Sequence, residues 1–271
     1  MAYSCYCAVD NKHKNDRGSS ERAQLRRILL SFGILLSCLL GPAALVAEPF
    51  PPLKAEERLA LPAIGLIKII GSESIVVCSG TLVAQDLVIT SAHCLEKYKG
   101  RMQRVEFAAG LTGTRSRATS GAAEVVQHPV WSYASGMGKY VYDIAVVRLS
   151  RPITEKRVRS INLYPEDAAL PERAALVGYP LTEHFILHGR LNCALTPVAK
   201  SGLFSSDCSV SKGTSGGAVL IRAANEWQLA GVIVAASKRD GTALVVEIDQ
   251  WLRDHVQDAL RREATRSAEL Q

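Results

Sequence analysis

After residue 47 the chain has no run of Lys or Arg and no Cys-x-x-Cys pair, and nowhere does it carry an internal repeat or a low-complexity tract. The first absence removes the electrostatic footprint of a nucleic-acid partner. The second removes the usual ligand spacing of a structural zinc site. The third leaves a chain of ordinary globular composition, 48% hydrophobic and 21% charged. The formal charge of +6 is also unevenly placed: beyond residue 47, 26 basic residues face 23 acidic ones. With 271 residues there is room for one large domain or two small ones.

Ile28 to Ala47 contains no charged side chain, and Arg22, Arg26 and Arg27 precede it. A basic segment, an apolar segment and a small residue before Glu48-Pro49 read as an export signal cut near Ala47. Residues 1–47 are therefore expected to be an export signal with a long polar extension, and residues 48–271 a secreted or periplasmic protein. A retained membrane anchor is the competing reading, since ~20 apolar residues can span a bilayer. Gly41-Pro42 argues for cleavage, because it limits the strongly apolar part to Ile28–Leu40. Leu36-Ser37-Cys38 faintly resembles a lipoprotein site, but the apolar run continues past it.

Cysteine placement follows the same division. Cys5, Cys7 and Cys38 precede the expected cut, and Cys78, Cys94, Cys193 and Cys208 follow it. Four cysteines in an exported chain point to two disulfides, with three pairings possible.

Glu48 to Pro62, rich in proline and charge, reads as an N-terminal arm. Short β-rich runs follow at Ala63–Ile70, Ser74–Val83, Leu87–Ser91, Arg104–Ala109, Ala122–Gln127 and Ile144–Leu149. Others lie at Ala174–Val177, Phe185–Leu191, Gly217–Ile221, Gln228–Ala235 and Ala243–Glu247. Many short strands punctuated by Gly, Pro, Asp and Ser indicate an all-β sandwich or barrel, which period alone does not separate. Asp249 to about Ser267 reads as the one helix, capped by Asp249. Trp251, Leu252, Val256, Ala259 and Leu260 form its apolar face. It is expected to pack on the second half of the fold, with Arg253, Arg261 and Arg262 solvated.

Three motifs carry the chemistry, in order. They are Thr90-Ser91-Ala92-His93-Cys94, then Asp143-Ile144-Ala145-Val146-Val147-Arg148-Leu149, then Gly213-Thr214-Ser215-Gly216-Gly217. A serine hydroxyl is a weak nucleophile unless a base lies within reach and a third group orients that base. Asp143 opens an apolar strand, where a carboxylate is costly unless hydrogen-bonded. Ser215 sits among glycines, which permit the tight, side-chain-free turn that aims backbone N–H groups at one point. The other five histidines, His13, His128, His184, His188 and His255, have no motif around them and read as structural or surface residues.

On these motifs, with Cys78-Ser79-Gly80-Thr81-Leu82 and His128-Pro129, the chain resembles the chymotrypsin/trypsin-like serine proteases from about Ala63 to Leu252. It is most similar to the secreted bacterial branch that includes the glutamyl endopeptidases. The resemblance implies two packed six-stranded antiparallel β-barrels with a C-terminal α-helix. The first barrel would occupy about residues 57–158 and the second about 172–247. It implies His93 as general base, Asp143 as its orienting partner and Ser215 as nucleophile, with no cofactor or metal. The Gly213 and Ser215 amides would form the oxyanion hole, each donor worth roughly 3–4 kcal/mol. It also implies the disulfide Cys78–Cys94, and local spacing then leaves Cys193–Cys208. Each closes a loop of about 15 residues, worth ~3 kcal/mol in the chain-entropy model.

Thr214 departs from the animal digestive enzymes, which carry an aspartate there that pairs with a new amino terminus after zymogen cleavage. Threonine cannot form that pair. Lys68-Ile69-Ile70-Gly71 looks like an activation site but lies too close to Cys78. Activation is therefore expected not to depend on insertion of an N-terminal amine. By register from Ser215, the specificity pocket has its base near Ser209 and Val210 and its wall at Val234, Ala235 and Ala236. The glutamate-specific relatives have a histidine on that wall, where this chain has Ile233 or Val234. A small or medium apolar substrate side chain is expected, with Lys212 at the rim. The expectation is a monomeric serine endopeptidase acting on proteins or peptides, with no nucleic acid and no membrane unless the signal is retained. A protease-fold binding protein with weak turnover, and a membrane-anchored processing protease, are the alternatives.

Overall fold

Alternation of buried and outward residues builds short strands, and the chain returns them antiparallel. The computed structural model describes residues 3–4, 49–71, 75–96, 105–198 and 201–269. The expected export signal lies outside the described residues apart from Tyr3–Ser4, a two-residue strand (β1). No helix among the described residues is long and apolar enough to cross a membrane.

Six strands form the first barrel: β2 (Ile64–Ile70), β3 (Ile75–Ala84), β4 (Leu87–Thr90), β5 (Val105–Ala109), β6 (Ala118–Gln127) and β7 (Ala145–Leu149). They close in the order β2-β3-β4-β7-β6-β5. Inward Ile64, Leu66, Leu82, Ile89 and Phe107 are all but fully buried and fill it. Ile69, in the apparent activation motif, pairs with Val76 and Val105 in the middle of this sheet. It is a core strand residue.

The second barrel comprises β8 (Arg173–Gly178), β9 (His188–Pro197), β10 (Leu203–Ser209), β11 (Ala218–Ala223), β12 (Glu226–Ser237) and β13 (Thr242–Glu247). They run in the order β12-β11-β8-β9-β10-β13, and β12–β13 pairing closes the ring. β1 adds at its edge, Tyr3 and Ser4 opposite Ser237 and Ala236. The fold is thus two closed six-stranded antiparallel barrels. β10 was not among the strands expected from sequence, and β9 begins at His188 and continues to Pro197 where the sequence indicated Phe185–Leu191. Two disulfides, Cys78–Cys94 and Cys193–Cys208, each bridge neighbouring segments of one barrel.

Short helices α1 (Ala55–Leu59), α2 (Ala92–Leu95) and α3 (Gly138–Val141) interrupt the strands, and α4 (Gln250–Glu269) ends the chain. Asp249 caps α4, its carboxylate accepting from Leu252 N at 2.9 Å. The helix lies on β3 and β7 of the first barrel, not on the second barrel as the sequence led us to expect. Charge explains the choice. Asp86, at the β3–β4 turn, is buried, and Arg266 and Arg262 of α4 reach it at 3.1 and 3.6 Å. Arg253 donates to Tyr164 O at 2.9 Å. Arg253 and Arg262 are therefore engaged, while Arg261 stays solvated as expected, and Leu260, counted in the apolar face, is 47% exposed.

The arm before β2 is also tied down. Phe50 is buried among Cys193, Cys208 and Val210 in the second barrel's core. Its carbonyl lies 2.7 Å from His188 Nδ1, and Leu53 N donates to Leu187 O at 3.0 Å.

Candidate active site

The register of two neighbouring strands sets the first pair of site residues. Thr90, the last residue of β4, stands opposite Ala145, the first of β7. His93 follows the one by three residues and Asp143 precedes the other by two, so both leave the first barrel at the same end. The fully buried Asp143 carboxylate receives two hydrogen bonds from His93: backbone N to Oδ1 at 2.7 Å, and a ring contact of 2.6 Å between Nδ1 and Oδ2. Gln127 Nε2 donates to Ala92 O at 2.8 Å and steadies the turn. Burial disfavours a charge on His93, but the Asp143 carboxylate, by charge and hydrogen bond, outweighs it. The imidazole pKa stands above its ordinary value.

Ser215 comes from the second barrel, on the turn before β11. Its carbonyl accepts from Ser79 N at 2.8 Å. Ser79 adjoins Cys78, whose disulfide partner Cys94 adjoins His93. One hydrogen bond and one disulfide thus tether the Ser215 turn to the His93 turn. No hydrogen bond joins Ser215 Oγ to His93 among the described residues. The sulfur of Cys94 lies 3.8 Å from His93 Nε2.

The 211–217 turn carries hydrogen bonds of its own and others from outside it. Thr214 Oγ1 donates to Ser211 O at 2.6 Å, and Gly217 N donates to Thr214 O at 2.8 Å. Leu181 N donates to Lys212 O at 2.5 Å. A buried threonine thus takes the position of the digestive enzymes' aspartate and closes the turn locally. Two glycines are required here. At Gly213 (φ +95°) a Cβ would stand 2.4 Å from Leu181 N, and at Gly216 (φ +78°) 2.2 Å from Ser79 O. Among the described residues, neither the Gly213 nor the Ser215 N–H donates to a protein acceptor.

Ser209 is buried, and its hydroxyl donates to Asp240 O at 2.8 Å; Val210 N donates to Gly241 O at 2.8 Å. Asp240 and Gly241 are thus the hydrogen-bond neighbours of the expected pocket base, a pairing the sequence register did not show. The Val210 side chain packs with Phe50 and Cys208 in the barrel core. Val234 and Ala235 are buried, and Ala236 is half-buried. Hydrogen bonds from Thr242 hold the Asp240 carboxyl down to about 2. Asp207 turns outward, accepting from Ala194 N at 2.7 Å. Of the remaining histidines, buried His128 stacks on Tyr142 and meets Trp251 edge-on.

Two six-stranded barrels meeting at such a site define the chymotrypsin-like fold class. The sequence pattern of the trypsin-like peptidase domain matches residues 78–232, and the chain belongs to that family. Over 218 residues it is 25% identical to human transmembrane protease serine 5, covering 68% of this chain and 47% of that protein. Over 106 residues it is 31% identical to human chymotrypsin-like elastase family member 1, covering 37% of this chain and 36% of that protein. The matches thus span less than half the length of these relatives. A thermostable serine protease, AL20, from an extremophilic microorganism has a similar structure, with a TM-score of 0.58 at 18% identity, covering 70% of this chain and 92% of that one. The protease Anisep of Arthrobacter nicotinovorans aligns with a TM-score of 0.61 at 19% identity, covering 74% and 96%. At these identities the likeness establishes the fold.

Proposed function

We propose that this protein is a serine endopeptidase, secreted or periplasmic, that cleaves proteins or peptides through an acyl-enzyme. The buried His93–Asp143 pair carries the reading, because its only evident use beside a glycine-bracketed serine is to hold an imidazole as base. Ser215 Oγ attacks the peptide carbonyl carbon, and its proton passes to His93 Nε2. The oxygen that becomes negative takes hydrogen bonds from the Gly213 and Ser215 N–H groups. The imidazolium then gives its proton to the departing amine. Water, activated by the same imidazole, releases the acyl group and restores the hydroxyl. Asp143 holds the Nδ1–H tautomer and stabilises the imidazolium.

Ser209 at the base with Val234, Ala235 and Ala236 on the wall supports a small or medium apolar residue on the acyl side. It does not support a preference for glutamate. The two disulfides fit an oxidising compartment.

A fluorophosphonate probe on the purified exported protein tests the reading. Labelling of the wild type and not of Ser215→Ala is the expected result. An unlabelled wild type, folded with both disulfides formed, would favour a protease-fold binding protein.

A further inference from the structure

Resting on the oxyanion reading above, we propose that Ser79 is the positioning residue of the oxyanion turn. In this chain a hydroxyl from the opposite barrel takes the place of a buried ion pair. Ser79 lies on β3, in the first barrel, and is fully buried. The turn it would hold precedes β11, in the second.

All of its polar groups are used, and two of them, the N–H and the hydroxyl, make three hydrogen bonds on or beside that turn. Its N–H donates to Ser215 O at 2.8 Å. Its Oγ donates to Gly213 O at 3.2 Å and accepts from Tyr179 N at 2.7 Å. Its carbonyl accepts from Thr90 Oγ1 at 2.7 Å, which anchors it to the strand leading to His93. One hydroxyl thus has both its donor and acceptor roles satisfied by the second barrel.

The geometry acts on the donors themselves. In a trans peptide the C=O and the following N–H point in opposite directions. Leu181 N holds the Lys212 carbonyl, so the Gly213 N–H is turned away from Leu181. Leu181 stands two residues after Tyr179, whose N–H is fixed on Ser79 Oγ. The same hydroxyl grips the Gly213 carbonyl on the other side of that residue. Gly213 has no side chain to resist rotation, so these two grips determine where its N–H aims. Without the hydroxyl, both are weakened together.

Ser79→Ala is the test, with Ser206→Ala as control, since Ser206 is a buried hydroxyl of the second barrel that accepts from Cys208 N. β3 pairs through backbone groups alone, so the strand should survive; Ser79→Gly is a second variant should the alanine methyl crowd the site. We expect kcat to fall about 10–100-fold with KM little changed, less than the loss of an oxyanion donor outright. The rate of fluorophosphonate labelling should fall in parallel, while Ser206→Ala keeps both. Amide hydrogen exchange of residues 211–217 should quicken about tenfold in Ser79→Ala but not in Ser206→Ala. Unchanged exchange in both Ser79 variants would overturn the proposal, and so would a kcat within twofold of wild type. If the wild type itself is neither active nor labelled, the peptidase reading fails, and the exchange comparison still decides whether Ser79 holds the turn.

Discussion

At the scale of single residues, the His93–Asp143 contact makes a quantitative demand. Asp143 raises the imidazole pKa against the opposing effect of burial. A general base works only when neutral. The acid limb of kcat/KM should therefore lie above pH 6.5, the ordinary value for a histidine. In Asp143→Asn burial acts without its counterweight, so the limb should move to lower pH. The wrong tautomer should also lower kcat by about 10⁴-fold, the size known for triads of the chymotrypsin class. A pH profile of both proteins measures the two effects together, and an unmoved limb would remove Asp143 from the proposed role. These residues were legible in the sequence because each sits in its own short motif. Ser79 was equally visible as a letter beside Cys78. Its use was not, since Gly213 and Tyr179 lie 134 and 100 residues away. The bonds from Ser209 to Asp240 and from Val210 to Gly241 were hidden for the same reason.

At the scale of elements, the first barrel and the closing strands followed from apolar runs, whereas β10 did not. Leu203–Ser209 places serines and an aspartate on a strand whose faces are only partly buried. Such a segment carries no hydrophobic period, and pairing with β9 and β13 supplies its structure instead. The position of α4 was missed through charge. An amphipathic stripe tells that a helix docks, not on which barrel. The Asp86 carboxylate, 6% exposed, makes that choice by drawing Arg262 and Arg266. The double variant Arg262→Ala/Arg266→Ala leaves that carboxylate buried without a cation. Folding stability should fall by roughly 1–3 kcal/mol, the part-exposed arginines limiting the loss. Asp86→Asn keeps the shape, frees two cations that can be solvated, and should cost less. Urea midpoints at constant m, measured in a Ser215→Ala background to prevent autolysis, compare the two. Equal losses would mean that packing, not charge, seats the helix.

At the scale of the whole molecule, two buried histidines oppose each other in pH. His93 is raised, so its contribution to stability is complete below about pH 6.5 and is lost as pH rises through its higher folded value. His128 is lowered, chiefly by burial; Asp249 at 3.3 Å pulls the other way and His255 adds to the lowering. Its protonation is therefore resisted by the fold, and it removes stability as pH falls below about 6.5 towards the folded value. The cost falls at a structural joint. His128 stacks on Tyr142 beside β7, meets Trp251 of α4, and faces the aspartate that caps that helix. Charging His128 should loosen the seating of α4 on the first barrel before the barrels themselves melt. In the Ser215→Ala background, Tm should decline from pH 7 to pH 5. His128→Gln, unable to take a proton, should flatten that decline, while His93→Gln should leave the acid side as steep or steeper. Should His128→Gln decline as the parent does, the acid sensitivity belongs to other groups, and the joint between α4 and the first barrel is not its origin.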